Sequence, residues 1–334
     1  MPDRPGAMAG PTVLTSLTGL LAAVTLLLSG CGVDSPPPRA ATASAPQVPL
    51  DCATAPHACG YPDATNTGIA PGPLLRVPQD VTSGPGWHYD PRGWIEIDGP
   101  GAVFDRKQTH LGLDVVAPDV TISNSLILAS GDTIAISLRR AHRVTIRDNE
   151  IAGGEALGPE RLGVAIKDIF SDTTGIRVLR NEIRYASTGV QIDAGLIEDN
   201  YIHDLGLVDG DHVNGTTSNA GVHLLEIRHN TIFNPYEQTD AVSLFQDFGP
   251  QENRVIADNL LAGGGYTIYG GANPGLGATA RDIRVTDNRI ARIFFPNGGY
   301  YGPVAAWAAD GNVWEGNIWD DTGAAIPAPV EADG

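Results

Sequence analysis

An asparagine recurs in the same local setting along most of this chain, and that repeat constrains the fold more than any other feature. The segments are Ile122-Ser-Asn124-Ser-Leu126, Ile146-Arg-Asp-Asn149-Glu-Ile151, Val178-Leu-Arg-Asn181-Glu-Ile183, Ile197-Glu-Asp-Asn200-Tyr-Ile202, Ile227-Arg-His-Asn230-Thr-Ile232, Ile256-Ala-Asp-Asn259-Leu-Leu261, Val285-Thr-Asp-Asn288-Arg-Ile290 and Val313-Trp-Glu-Gly-Asn317-Ile-Trp319. Their asparagines lie 25, 32, 19, 30, 29, 29 and 29 residues apart. Self-similarity with a period of about 20–50 residues defines a solenoid or a related array. Each unit reads as a strand, a corner and a second strand. Asn tolerates the left-handed backbone that a sharp corner needs, and its amide can bond to backbone groups of neighbouring coils. Stacked amides would then satisfy polar groups that stacking buries. A third, alternating segment belongs to each unit, as in Gly163-Val-Ala-Ile-Lys167, Gly189-Val-Gln-Ile-Asp193, Ala241-Val-Ser-Leu-Phe245 and Tyr266-Thr-Ile-Tyr269. Three strands per turn predict an all-β fold, a right-handed parallel β-helix. With about nine coils stacked about 4.8 Å apart, the rod is on the order of 40 Å long. A propeller blade needs four strands and a leucine-rich repeat commonly carries a helix; these units have neither.

Composition agrees with this. Hydrophobic residues make up 42% of the chain and charged ones 18%, enough apolar material for a packed core. Gly 41 and Pro 25 suit many short strands and turns. The open N-terminal end of the solenoid is expected to be capped by residues 60–100, with Trp87, Trp94 and the Pro85-Gly86 turn, and the other end by Trp307, Trp314 and Trp319. The formal net charge of −18 sets the whole-molecule field against nucleic acid and anionic membranes. No nucleic-acid partner is expected, and a polyanionic glycan would need a local basic site or bridging cations.

The first fifty residues read as an export segment. Val13 to Leu28 is apolar and of signal-peptide length, flecked with Thr15, Ser16, Thr18 and Thr25. It closes on Leu28-Ser29-Gly30-Cys31, which resembles the lipobox of bacterial lipoproteins. The resemblance implies a lipid on Cys31 and a location on the extracellular face of the cell membrane. Arg4 is the only cation of the leading segment and Asp3 opposes it, so Met8 is an alternative start. The expected order is a signal over residues 1–31, a Pro/Ala/Thr-rich linker over 32–50, the β-helix over 51–326 and a tail over 327–334. Cys52 and Cys59, in an exported chain, are expected to form a local disulfide; a zinc site with His57 would lack a fourth ligand nearby.

Further stretches carry a family resemblance. Tyr61-Pro-Asp-Ala-Thr-Asn-Thr-Gly68, His212-Val-Asn-Gly-Thr-Thr-Ser-Asn219, Leu261-Ala-Gly-Gly-Gly-Tyr-Thr-Ile-Tyr-Gly-Gly271 and Gly311-Asn-Val-Trp-Glu-Gly-Asn-Ile-Trp-Asp-Asp-Thr-Gly323 resemble actinobacterial secreted right-handed β-helix proteins of the pectate-lyase-like superfamily. That resemblance implies an extracellular protein with a glycan cleft along one parallel sheet. It does not fix a reaction. The Asn-Thr-Asp, Asp-Asp, Gly-His-Gly and Arg-Ile-Lys set of polygalacturonases is absent, and so is the calcium-and-arginine pattern of pectate lyases.

Strict alternation along the third strand predicts two outward columns. One holds Ala165, Gln191, His212, Ser243 and Thr267; the other holds Lys167, Asp193, Asn214, Phe245 and Tyr269. Lys167, Asp193, His212 and Asp211 are the expected catalytic residues. Asn214, Phe245 and Tyr269, with Tyr300 and Tyr301 nearby, are expected to bind substrate. In an elimination, Lys167 or His212 would take the proton α to a uronate carboxylate while Asp193 with Asp209 or Asp211 holds calcium. In a hydrolysis, two of Asp168, Asp193, Asp209 and Asp211 would serve as acid and base. Asp240 and Asp247 read as turn residues, Gln246 as uninformative, and Asn200, Asn230, Asn259 and Asn288 as structural. The leading expectation is a surface-tethered lyase or hydrolase that acts as a monomer on an extracellular polysaccharide. The second is a non-catalytic glycan-binding or envelope protein.

Overall fold

The computed structural model describes residues 51–329 apart from 274 and 276–278, so the signal, lipobox, linker and most of the tail lie outside the described residues. Short strands build three parallel sheets of ten, eleven and nine strands, here sheets 1, 2 and 3. One coil shows the path. Ala186–Gln191 lies in sheet 2, Gly195–Glu198 in sheet 3 and Tyr201–His203 in sheet 1, and the chain then returns to sheet 2 at Asn214–Ser218. The protein is a parallel β-helix with three strands per coil. One aliphatic core runs its length, made of inward columns such as Ile136, Ile166, Val190, Val242 and Ile268 of sheet 2.

The corner between sheets 3 and 1 carries the asparagine ladder. Asn149, Asn181, Asn200, Asn230, Asn259, Asn288 and Asn317 are all buried. Each Oδ1 beyond the first accepts from the backbone and side-chain amides of the asparagine one coil earlier, at 2.9–3.1 Å. Two expectations are corrected here. The left-handed residue is not the asparagine but the one before it: Asp148, Arg180, Asp199, His229, Asp258 and Asp287 have φ between 51° and 60°. The asparagine must keep an extended backbone to aim its amide along the stack. Asn124 is not a rung, either. It follows Ser123, the register partner of Arg147, so it takes the corner position that Asp148 takes on the next coil; it has φ 45°, and Ser125 donates its amide to Asn149 Oδ1 instead.

Sheet 2 departs from strict alternation. Ala165 and Ile166 both face the core, as do Gly189 with Val190 and Gly215 with Thr216. A Cβ on Gly215 would collide with the Ile232 methyl of sheet 1 and with the Ala241 carbonyl of the next coil, so only glycine fits there. Two consecutive inward residues put the outward ones three apart. The outward columns are therefore Val164–Thr188–Asn214–Asp240 and Lys167–Gln191–Thr217–Ser243–Tyr269. Ala165 and Thr267, expected outside, are fully buried.

The N-terminal end is capped by the antiparallel strands Trp87–Asp90 and Trp94–Ile97, with Trp87 edge-on to Phe104 at 5.2 Å. Trp94 is not part of this plug; it faces the groove described below under Arg92, 4.3 Å from its ring. Trp307 packs on Trp314 at 5.6 Å at the far end, and the Trp314 indole donates to Ile326 O. Residues 52–68 do not cap. They strap along sheet 1 from the last coil toward the first. Ala53 N donates to Asp320 Oδ2, Tyr61 stacks on His229 and donates to Asp258, and Gly68 N donates to Arg180 O. The Cys52–Cys59 disulfide forms, with Cα atoms 5.6 Å apart, and His57 pairs with Asp63 rather than with the sulfurs.

Candidate functional site

The outward face of sheet 2 carries two cavities in line. The wider, about 630 Å³, lies over the earlier coils between Trp94 and Lys167. Its floor holds Asp114, which accepts from Ser137 Oγ at 2.7 Å and Arg139 Nε at 2.5 Å. Lys167 makes no ion pair or side-chain hydrogen bond among the described residues, so its ammonium is free for a ligand. The narrower cavity, about 420 Å³, follows on the next coils, lined by Thr188, Gln191, His212, Asn214, Thr217 and Asn219, with Phe245 and Asp247 at its rim. Direct pairing of Val164 with Thr188 and of Lys167 with Gln191 joins the two.

Aromatic rings close the far end. Phe245 and Tyr269 sit 5.2 Å apart, Tyr269 and Tyr266 5.6 Å, and Tyr266 and Tyr301 5.6 Å. Beneath them is Asp240. It is not a turn residue: it opens the strand Asp240–Leu244, in register with Asn214, and is fully buried with neither carboxylate oxygen hydrogen-bonded. Burial drives its carboxyl well above the usual range, and the nearby Ser243 hydroxyl only partly opposes this. Tyr269 is in turn raised, first by burial and then by the neighbouring Asp240.

The four expected catalytic residues do not converge. Lys167 faces the wider cavity and His212, exposed, faces the narrower one. Asp211 lies at the corner that enters sheet 2. It accepts from Arg161 Nε and one terminal guanidinium nitrogen at 2.7 and 2.8 Å, from the Ser187 hydroxyl and from the Val208 amide. Burial opposes its charge, yet these donors hold its carboxyl down at about 2. Asp193 lies at the opposite corner, where the chain leaves sheet 2, and accepts from Ser218 Oγ and Asn219 N at 2.8 Å each. Beside it Arg254 is buried, and desolvation lowers that guanidinium to about 10 against the pull of Asp193 and Glu252. Asp168 is raised by burial and capped by Thr173. Asp209 is an exposed turn residue. Thus Asp193, Asp209 and Asp211 are not gathered, and among the described residues no three His, Cys, Asp or Glu side chains are placed to share a metal ion. Asn214, Phe245 and Tyr269 do come together, along the narrower cavity and its aromatic end.

Sequence reasoning missed Asp240, Thr188 and Thr217, and it missed the Asp114–Ser137–Arg139 floor. Aligning coils on Asn214-Gly215 and Ala241 with two inward residues per strand would have found the first three. Compared with known proteins, the chain matches no family model, no curated sequence and no solved structure.

Proposed function

We propose that this chain is a surface-tethered extracellular carbohydrate-active protein of the pectate-lyase-like type, and that sheet 2 holds an extended polysaccharide. One observation carries the reading: two cavities of small-ligand size lie end to end on one flat parallel sheet, joined through Lys167 and Gln191, with Trp94 near one end and an aromatic cluster at the other. A linear polymer matches such a groove, because aromatic faces stack on sugar C–H surfaces while amides, hydroxyls and charges meet the hydroxyl groups. The tether is a lipid on Cys31. Replacing it by Ser should release the protein from the cell surface; retention of Cys31→Ser at the membrane counts against the anchor.

Binding is the reading the geometry supports best, since the four expected catalytic side chains are dispersed. Cleavage is a second reading, favoured by Asp240: burial raises its carboxyl, the direction required of an acid that donates a proton to a leaving oxygen. The test is a panel of purified polysaccharides, scored by calorimetry for binding and by unsaturated products or new reducing ends for elimination or hydrolysis. Expected is binding that weakens about tenfold in Phe245→Ala and Tyr269→Ala, as loss of an aromatic stacking partner predicts. Binding indifferent to both substitutions would remove the groove from the proposal; cleavage retained in Asp240→Asn would remove Asp240 as its acid, and no product from any polysaccharide of the panel would remove the second reading.

A further inference from the structure

The narrower cavity differs from the wider one in its charges, and the difference bears on what kind of sugar it accepts. No Lys or Arg lines it. Asn214, which is 7% exposed, donates through Nδ2 to His212 O at 3.0 Å. A carbonyl oxygen only accepts, so this bond fixes which way the amide points. Its Oδ1 is therefore a buried acceptor on the groove face, and it has no partner. Gln191, one strand earlier, makes no side-chain hydrogen bond among the described residues, and its amide offers both a donor and an acceptor. Asp247 also lines it, and Asp240, fully buried, lies in register beside Asn214. The cavity thus presents the unfilled Asn214 acceptor, free amide groups and the Asp247 carboxyl, with the Phe245 ring also in its lining.

An anionic sugar would bring its carboxylate, sulfate or phosphate against oxygen acceptors with no Lys or Arg in the lining; His212 is the one lining side chain that can carry a positive charge, and only when protonated. A neutral pyranose fits the same groups. A ring hydroxyl donates to Asn214 Oδ1, another accepts from Gln191, and the C–H face lies on Phe245. Resting on the groove reading above, we infer that the narrower cavity is a subsite for an uncharged sugar residue, and that the ligand is a neutral polysaccharide rather than a polyuronate. The Lys167 ammonium, one coil earlier, is then the place for a sparse acidic substituent, not for a regular one.

The test titrates the purified full chain by calorimetry against paired oligosaccharide series of several linkages. The members of each pair differ only at C6, hydroxymethyl in one and carboxylate in the other. At least one neutral series should bind about tenfold or more tightly than its oxidised twin. Asn214→Ala and the more exposed Gln191→Ala should each weaken the neutral ligand by about tenfold, the effect of one lost hydrogen bond to a desolvated partner. If Asn214→Ala does not fold, as judged by circular dichroism, Gln191→Ala carries the test. Equal or tighter binding of the carboxylate form overturns the inference while leaving the groove reading intact. So does affinity that falls in Lys167→Ala but not in Gln191→Ala. If no member of either series binds, the groove reading itself fails and this inference goes with it.

Discussion

Two polar regions of the same coils behave in opposite ways. At the corner between sheets 3 and 1 every rung from Asn149 to Asn288 spends its amide on the next coil and on a backbone carbonyl of an earlier one. On sheet 2 the polar atoms are buried and left over: Asn214 Oδ1, Thr239 Oγ1 and both oxygens of Asp240 have no partner. A buried polar group without a hydrogen bond costs stability, so a fold that fills one corner so completely yet tolerates this on a neighbouring face is spending stability on something other than folding. The difference teaches how to sort the chain. Where polar side chains are satisfied within the repeat they hold the coils together; Asn214, left unsatisfied on the outward face of sheet 2, is open to what the groove receives.

The sharpest way to break this contrast is to remove a rung. Asn230 makes bonds to Ile197 O, Arg228 O and Asn259 Oδ1, and receives Asn200 N and Nδ2. Asn230→Ala leaves several of these partners buried and unpaired at once. A loss of about 3 kcal/mol or more is expected, up to failure to fold. Guanidinium denaturation followed by circular dichroism measures it. A loss under about 1 kcal/mol would mean the ladder is no better bonded in effect than the groove.

The ladder was legible because its signal is local: an aliphatic residue, a corner and an asparagine recur at nearly constant spacing, and stacking does the rest. Even so, the coil at Asn124 was read one residue out of register, since Ser125 fills the rung with no amide to announce it. The groove was less legible for a physical reason. Its register depends on whether Gly189, Gly215 and Ala241 can face the core beside Val190, Thr216 and Val242, and that is decided by the Ile202 and Ile232 methyls packed from sheet 1. No residue within the strand reports it. Lys167 and Tyr269 fell outside on either count, whereas Asp193 and Asp211 were placed by sequence proximity and turned out to be tied to opposite corners.

Asp211 belongs with the satisfied class, and pH shows it. Its carboxyl is held at about 2 by Arg161, Ser187 and the Val208 amide, below the unfolded value near 3.9. A depressed carboxyl contributes stability that is present above about pH 4 and is lost as pH falls toward 2. Asp211→Asn should therefore destabilise by about 2 kcal/mol at neutral pH and by little near pH 2, with buried Arg161 left only the looser, exposed Asp132 carboxylate at 3.7 Å. Melting temperature against pH is the measurement; a deficit independent of pH would assign the loss to packing.

Asp240 gives the opposite sign and the smallest effect. Its folded carboxyl is raised far above the unfolded value, so the folded state holds a proton that the unfolded state has released. Stability is then greatest below about pH 4 and falls as pH rises toward the folded value. Asp240→Asn removes the ionisable group while keeping its shape, and should raise stability at pH 7 by on the order of 1 kcal/mol, with the gain fading as pH approaches 4. Together with weaker ligand binding, that gain would mark Asp240 as a residue kept against the interest of the fold. A destabilised Asp240→Asn at pH 7 would place it among the satisfied groups instead, and the line between ladder and groove would have to be drawn elsewhere.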